Sequence, residues 1–445
     1  MKEGRELRTP PLVNDTALAV PAAAQMRAIA YTEFDLENGL HVILHEDHST
    51  PIVAVSVMYH VGSKNEEPTR RGFAHFFEHL LFEGSKNIER GEFSKLVERA
   101  GGVLNANTTG DRTYYYEILP SNQIELGLWL ESERMLHAKV DQKGVDTQRE
   151  VVKEERRQRY ENQPYGGLLI EVLKRAYTVH PYQWPTIGFM EDLNTASEAD
   201  YLAFYKKFYV PNNAALVVAG DIDPAKAREL VSRYFADIPR GAAVAQPTVV
   251  EPPLIGEVRD IIYDRIQLPA VVQAYRIPAI GTKDFYAVDM VNRLLSGGNS
   301  ARLNKALKDE QQKAIYVGAF SFPFEQPGLA IMFAIANSGV DIVELEQAMD
   351  LEVARVQAEG VPADELAKLK AQLETEAIMD NGRIAGVAGN LATAYTMLGS
   401  TELVNTELDR YLNLTSEDLK QAATTYFTKQ HRVVLHYLPL LQPTP

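Results

Sequence analysis

The sequence predicts an α+β protein of two similar halves, each layering helices on a β-sheet. Three observations predict it. At 445 residues the chain exceeds what one hydrophobic core usually serves. Strand-like apolar runs alternate with helical segments along it. Beyond a proline-bearing stretch, residues 241–254, the order of these elements recurs. The expected division is an N-terminal arm 1–30, a first domain 31–240, a linker 241–254 and a second domain 255–445.

Lys2, Arg5 and Arg8 precede a short apolar run at 17–24, as in an export leader, but Glu3, Glu6, Asp15 and Pro21 spoil that reading and leave a flexible arm. Runs at 39–44 and 53–59 read as strands, and 72–82 as a short helix stopped by Gly84. A helix at 93–100 ends at Gly101-Gly102, followed by an extended segment 103–109 and an aromatic strand 113–119. Helices follow at 126–136 and 141–160, the latter ended before Pro164. Residues 214–221 read as a buried strand, with a helix from Pro224. In the second half, 269–275 echoes the strand 53–59, and helix 284–295 stands where 72–82 stood but offers no metal ligands. Helices at 340–359 and from Ala363, and a strand at 432–437, complete the order.

Composition narrows the partners. Hydrophobic content of 45% and charged content of 24% are those of a globular protein without membrane spans. With 45 basic and 60 acidic residues the net charge is −15, which argues against nucleic acid and anionic membrane and favours cationic substrates. There is no cysteine, so histidine and carboxylate are the strong zinc ligands on offer.

Within the apolar helix 72–82 lie His75, Glu78 and His79. Side chains four apart share a helical face, so both rings can reach one ion, with Glu78 near enough to touch a water beside it. His-x-x-Glu-His is the inverzincin signature: neutral imidazoles for zinc and a carboxylate to take a proton. The bland alternative is a pair of core histidines. A catalytic zinc needs a third protein ligand. Glu150, Glu154 and Glu155 all qualify by chemistry; Val151, Val152 and Glu155 share one helical face, which favours Glu155. The remaining histidines (41, 45, 48, 60, 137, 431 and 436) show no comparable pattern, and His180-Pro181-Tyr182 reads as a structural turn.

These residues resemble the pitrilysin family of zinc metallopeptidases, which includes insulin-degrading enzyme and the β subunit of mitochondrial processing peptidase. The family's signature is followed by a metal-binding Glu about 75 residues on; Glu155 lies 76 positions after His79. Gly101 to Thr108, followed by Asp111, Thr113 and Tyr115, is similar to the strand that lies beside bound peptide in the family, and Tyr209 to Asn213 and Gly220-Asp221 match later landmarks. The resemblance implies repeats like those of the processing peptidase, each a mostly antiparallel sheet packed with helices. It implies zinc on His75, His79 and Glu155, Glu78 as general base, and Asn105, Ala106 and Asn107 as the peptide-binding strand.

Two departures from the family pattern shape the functional expectation. A Glu common seven residues before the metal Glu is here Gln148. Active members also use an Arg and a Tyr seven apart in the second half; here Lys308 and Tyr316 stand eight apart, and lysine lacks arginine's planar fork. The resemblance therefore implies an endopeptidase subunit acting on peptides or small unfolded polypeptides, completed by a homologous zinc-free partner that supplies the Arg/Tyr pair. A self-sufficient homodimer and a non-catalytic assembly subunit are the alternatives. Bacterial relatives of this paired type point to the periplasm, with the cytoplasm as alternative.

Overall fold

A computed structural model describes residues 28–440, so most of the expected arm lies outside the described residues. The first sheet contains β1 (Thr32–Asp35), β2 (His41–Glu46), β3 (Ile52–Tyr59), β4 (Val103–Thr108), β5 (Thr113–Pro120) and β6 (Ala214–Gly220). The second contains β7 (Val258–Asp264), β8 (Ala270–Ile277), β9 (Ala314–Phe322), β10 (Gly328–Ala336) and β11 (Arg432–Pro439). Their orders are β1-β2-β6-β3-β5-β4 and β7-β11-β8-β10-β9.

Without β1, the two orders are the same. In each, the first pair is parallel (β2 with β6, β7 with β11) and every later pair antiparallel. The repeat is thus real at the level of topology. β8 is the counterpart of β3, and helix Lys283–Ser296 that of helix Phe73–Leu80.

Alternation along the strands gives each sheet two apolar faces. One face of the first sheet (Val55, Val57, Leu216) packs against the helices of its own half. The opposite face (Ile43, Met58, Val217) is covered by Leu391 and Ala388 of helix Ile384–Leu398, from the second half. Reciprocally, helix Leu168–Ala176 of the first half puts Val172 and Leu173 on the back of the second sheet, against Val272, Ile331 and Leu435. Each half lends a helix to the other.

Strands β1, β7, β9 and β10 and helices Leu168–Ala176 and Ile384–Leu398 were not legible in the pattern. Gly386 and Gly389 weaken the helical signal of the last. Helix 141–160 also ends earlier than expected: Gln142–Arg156 is α-helical, and Arg157–Glu161 is wound as a π turn. Among the described residues no helix is long and apolar enough to cross a membrane.

Candidate metal centre

The motif helix Phe73–Leu80 owes its position to aromatic packing and an unusual start. Phe73 and Phe76 stack on Tyr201, with ring centroids 4.4 and 4.3 Å apart, which turns His75 and His79 away from that core. Gly72 precedes the helix in the left-handed region (φ +95°), and a Cβ there would lie 2.9 Å from the backbone of Ile187 and Gly188. Glycine has no side chain to cap the helix, so Glu66 does it from a distance. Its two carboxylate oxygens accept the N–H groups of Gly72 (2.8 Å) and Ala74 (2.9 Å).

Helix Gln142–Arg156 brings Glu155 to both rings. Glu155 Oε2 lies 3.6 Å from His75 Nε2 and 3.2 Å from His79 Nε2, and one donor atom from each of the three falls within 4.8 Å of the others. Tetrahedral zinc with bonds of about 2.0–2.2 Å separates its ligand atoms by roughly 3.3–3.6 Å, close to the two Glu155–histidine distances, so the chemistry and spacing of this donor set suit the ion. It is the one such group among the described residues. Glu150 and Glu154 also line the cleft but are exposed and paired with Lys153 and Arg157. Of the two valines beside Glu155 only one packs inward. Val152 is buried, whereas Val151 is 44% exposed and faces the cleft, because Val145 and Val152, seven apart, form the packing face.

Electrostatics suit the roles. Burial first, and then the neighbouring His79, lowers His75 to about 4, so its ring is neutral at physiological pH as a metal ligand requires. Burial pushes Glu155 up, but the hydrogen bond with His79 and the charges of His75, His79 and Arg159 together hold it below the usual range. Its other oxygen is 3.0 Å from Arg159 Nη1, placed there by the π turn. Glu78 is raised, chiefly by burial, against a hydrogen bond from Thr108 Oγ1 at 2.6 Å.

Asn105, Ala106 and Asn107 lie on β4, the open edge of the first sheet, and line the same cleft as His75, Glu78, His79 and Glu155. Asn105 Oδ1 accepts the N–H of Ala106 at 2.9 Å, and Arg112 donates to the carbonyl of Asn107 at 3.1 Å. Gln148 is occupied elsewhere, donating to Glu83 at 2.5 Å in a chain that runs through Arg90 to Asp141 at the start of its helix. Neither Lys308 nor Tyr316 lines the cleft. The chain between them is irregular: Lys308 lies in a π-wound turn, Asn304–Glu310, and β9 carries a bulge where Tyr316 pairs with Ile335 and Ala314 with Ala336, leaving Ile315 extra.

Glu66, Thr108 and Arg159 were not singled out from the sequence as partners of the site. Arg159 had a readable signal, its i+4 spacing from Glu155. Glu66 had none, because a loop folds it back onto the helix.

The model of the insulinase family, peptidase family M16, matches residues 41–188, and that of the peptidase M16 inactive domain matches residues 195–373. The zinc protease PqqE of Helicobacter pylori is 31% identical over 420 residues, covering 93% of this chain and 94% of that one. The chain belongs to peptidase family M16. M16 relatives named as zinc proteases include YmxG of Bacillus subtilis, uncharacterised and 22% identical over 77% of this chain and 82% of its own. A protease structure from H. pylori superposes with a TM-score of 0.88 at 29% identity, over 93% of this chain and 100% of that one. The periplasmic protease PqqL of Escherichia coli gives 0.75 at 21% identity, with 92% of this chain matching 47% of that one.

Proposed function

We propose that the chain is the zinc-bearing subunit of an endopeptidase that hydrolyses peptides or small unfolded polypeptides. It works as a heterodimer with a homologous zinc-free partner that supplies an Arg/Tyr pair. One observation carries this reading: His75, His79 and Glu155 converge in a cleft whose opposite wall is an open sheet edge, with Glu78 between them. Residues 31–240 form its catalytic domain, and 255–445, beyond the linker 241–254, a second domain without ligands. The zinc-protease relatives support the chemistry. PqqL, whose chain is about twice as long as the unit it shares with this one, supports a second unit of similar size and a periplasmic location.

Zinc bound there supplies Lewis acidity, making a water acidic near neutral pH and polarising a carbonyl. The chain's own residues do the rest. An extended peptide adds to β4, where main-chain bonds to Leu104, Ala106 and Thr108 hold it with little regard for sequence. Glu78 takes a proton from the attacking water and returns it to the leaving amine. The missing function is a donor pair for the oxyanion, since Lys308 and Tyr316 lie outside the cleft.

The test is metal analysis of the purified chain, with peptidase assays on an unstructured peptide alone and with candidate partners. One zinc per chain lost on Glu155→Ala, with activity appearing only with the partner, is expected. Full activity alone would refute the two-chain part. A metal-free, inactive chain would refute the peptidase and favour an assembly subunit.

A further inference from the structure

The mechanism above leaves unexplained why a residue of the peptide-binding strand touches the base. Thr108 closes β4, and its Oγ1 hydrogen-bonds to Glu78 Oε2 at 2.6 Å. Its main chain points the other way. Thr109 N–H bonds to the Arg112 carbonyl at 2.9 Å, so Thr109–Arg112 is a bonded pair of the ladder. Thr108–Thr113 is then the non-bonded pair that follows, by the alternation of antiparallel ladders. The N–H and C=O of Thr108 therefore face the free edge, as do those of Ala106, whose N–H is met by its neighbour's side chain rather than by β5. Thr108 thus joins the strand, a free main-chain edge and Glu78 in one residue.

We propose that Thr108 is a positioning residue for Glu78. The inference rests on the peptidase reading above. A carboxylate on a three-bond side chain has several rotamers, and Arg112 and His79 both attract this one. The hydroxyl of Thr108 fixes Oε2 of a carboxylate that lines the cleft, which leaves the other oxygen for the water. Because the same residue bonds to substrate through its backbone, a peptide seated along β4 tightens the strand that holds the base. Proper strand addition and proper base geometry become one event. A peptide that binds out of register meets a mispositioned Glu78.

The experiment compares Thr108→Val, which keeps the shape and removes the hydroxyl, with Thr108→Ser, which restores it; Thr108→Ala replaces the valine variant if that does not fold. The assay uses whichever assembly supports wild-type activity. The expected result for Thr108→Val is a fall in kcat of about ten- to hundredfold, the cost of about an ångström of misplacement. KM and zinc content stay unchanged, and Thr108→Ser recovers most of the rate. Crystals of the metal-loaded valine variant should show Glu78 in a different rotamer, a readout independent of turnover. The proposal is overturned if kcat is unchanged. It is also overturned if KM, zinc content and kcat worsen together without rescue by serine, which would mark a structural role. A wild-type protein inactive in every assembly would instead refute the peptidase reading, and Glu78 keeping its rotamer in the valine crystals would refute the positioning alone.

Discussion

Replacing Glu66 by alanine tests how helix Phe73–Leu80 is held. Helix Phe73–Leu80 has eight residues, too few to persist without tertiary support. Its start has no side-chain cap of its own, and the two N–H groups at Gly72 and Ala74 are satisfied by the Glu66 carboxyl, which is 6% exposed. Glu66→Ala leaves two buried donors unpaired, at about 1–3 kcal/mol each, so the helix should lose roughly 4 kcal/mol against opening. At about 1.4 kcal/mol per factor of ten, this is close to a thousandfold. Hydrogen–deuterium exchange of the metal-free protein over residues 72–80 reads it directly, since local opening governs exchange there. Zinc affinity should fall as well, because the opened helix carries two ligands. A change in protection below about tenfold, with unaltered zinc affinity, would show that the aromatic contacts to Tyr201 hold the helix without the cap.

Further outcomes follow from the same structure. Glu78→Gln should lower kcat by about a hundredfold or more while keeping stoichiometric zinc, measured by metal analysis beside the peptide assay. Burial pushes Glu66 up to about 8, outweighing the backbone N–H bonds that pull it down. A folded value above the ordinary one means its stabilising contribution is complete below about 4.5 and lost as pH rises through 8. Urea midpoints of the metal-free protein should therefore decline from pH 5 to 9, and Glu66→Gln should flatten that slope; an unaltered slope would contradict the assignment. Separate expression of residues 28–240 and 255–440 should give no soluble, cooperatively folding first half, since Ile43, Met58 and Val217 would lose the helix that covers them. A soluble, zinc-binding fragment 28–240 would refute this.

Much of this was legible because local patterns carried it. His75, Glu78 and His79 fall within five residues near one helical face, and the spacing to Glu155 needed only a long amphipathic helix to follow. The repeat was readable in part, from the strand 269–275, the helix that follows it and the last strand at 432–437, although β7, β9 and β10 between and before them were not. What escaped depends on contacts far apart in sequence. Glu66 meets Gly72 across a loop, and helix Ile384–Leu398 is apolar on several sides because it lies between a sheet and other helices, which blurs the single stripe that periodicity detects. Val151 misled because a cleft-facing valine and a core valine look alike in a pattern. The bulge at Ile315 was invisible in the sequence as a shape.

Among the described residues the second half offers no group like His75, His79 and Glu155, yet it fixes the first half's edge strand. The turn that follows β4 holds Asp111, 1% exposed, whose Oδ1 lies 3.0 Å from Lys64 Nζ and whose Oδ2 accepts the N–H of Glu325 at 3.2 Å. Glu325 sits between β9 and β10, pairs with Lys64 and lies 2.6 Å from His60 Nε2. Beside it Phe324 stacks on Tyr182, whose hydroxyl bonds to Asp111. Buried ions of this kind stabilise weakly in sum but cost several kcal/mol when one partner is removed, so they enforce an arrangement more than they strengthen it. The arrangement enforced is the path of the chain from Thr108 to Thr113. β4 is an edge strand, so it lacks the cross-strand bonds that would otherwise fix it on that side. Anchoring its turn from the other half supplies that rigidity without occupying the edge. The second half is therefore part of the site, because its contacts with Asp111 determine where Thr108, and with it Glu78, stands.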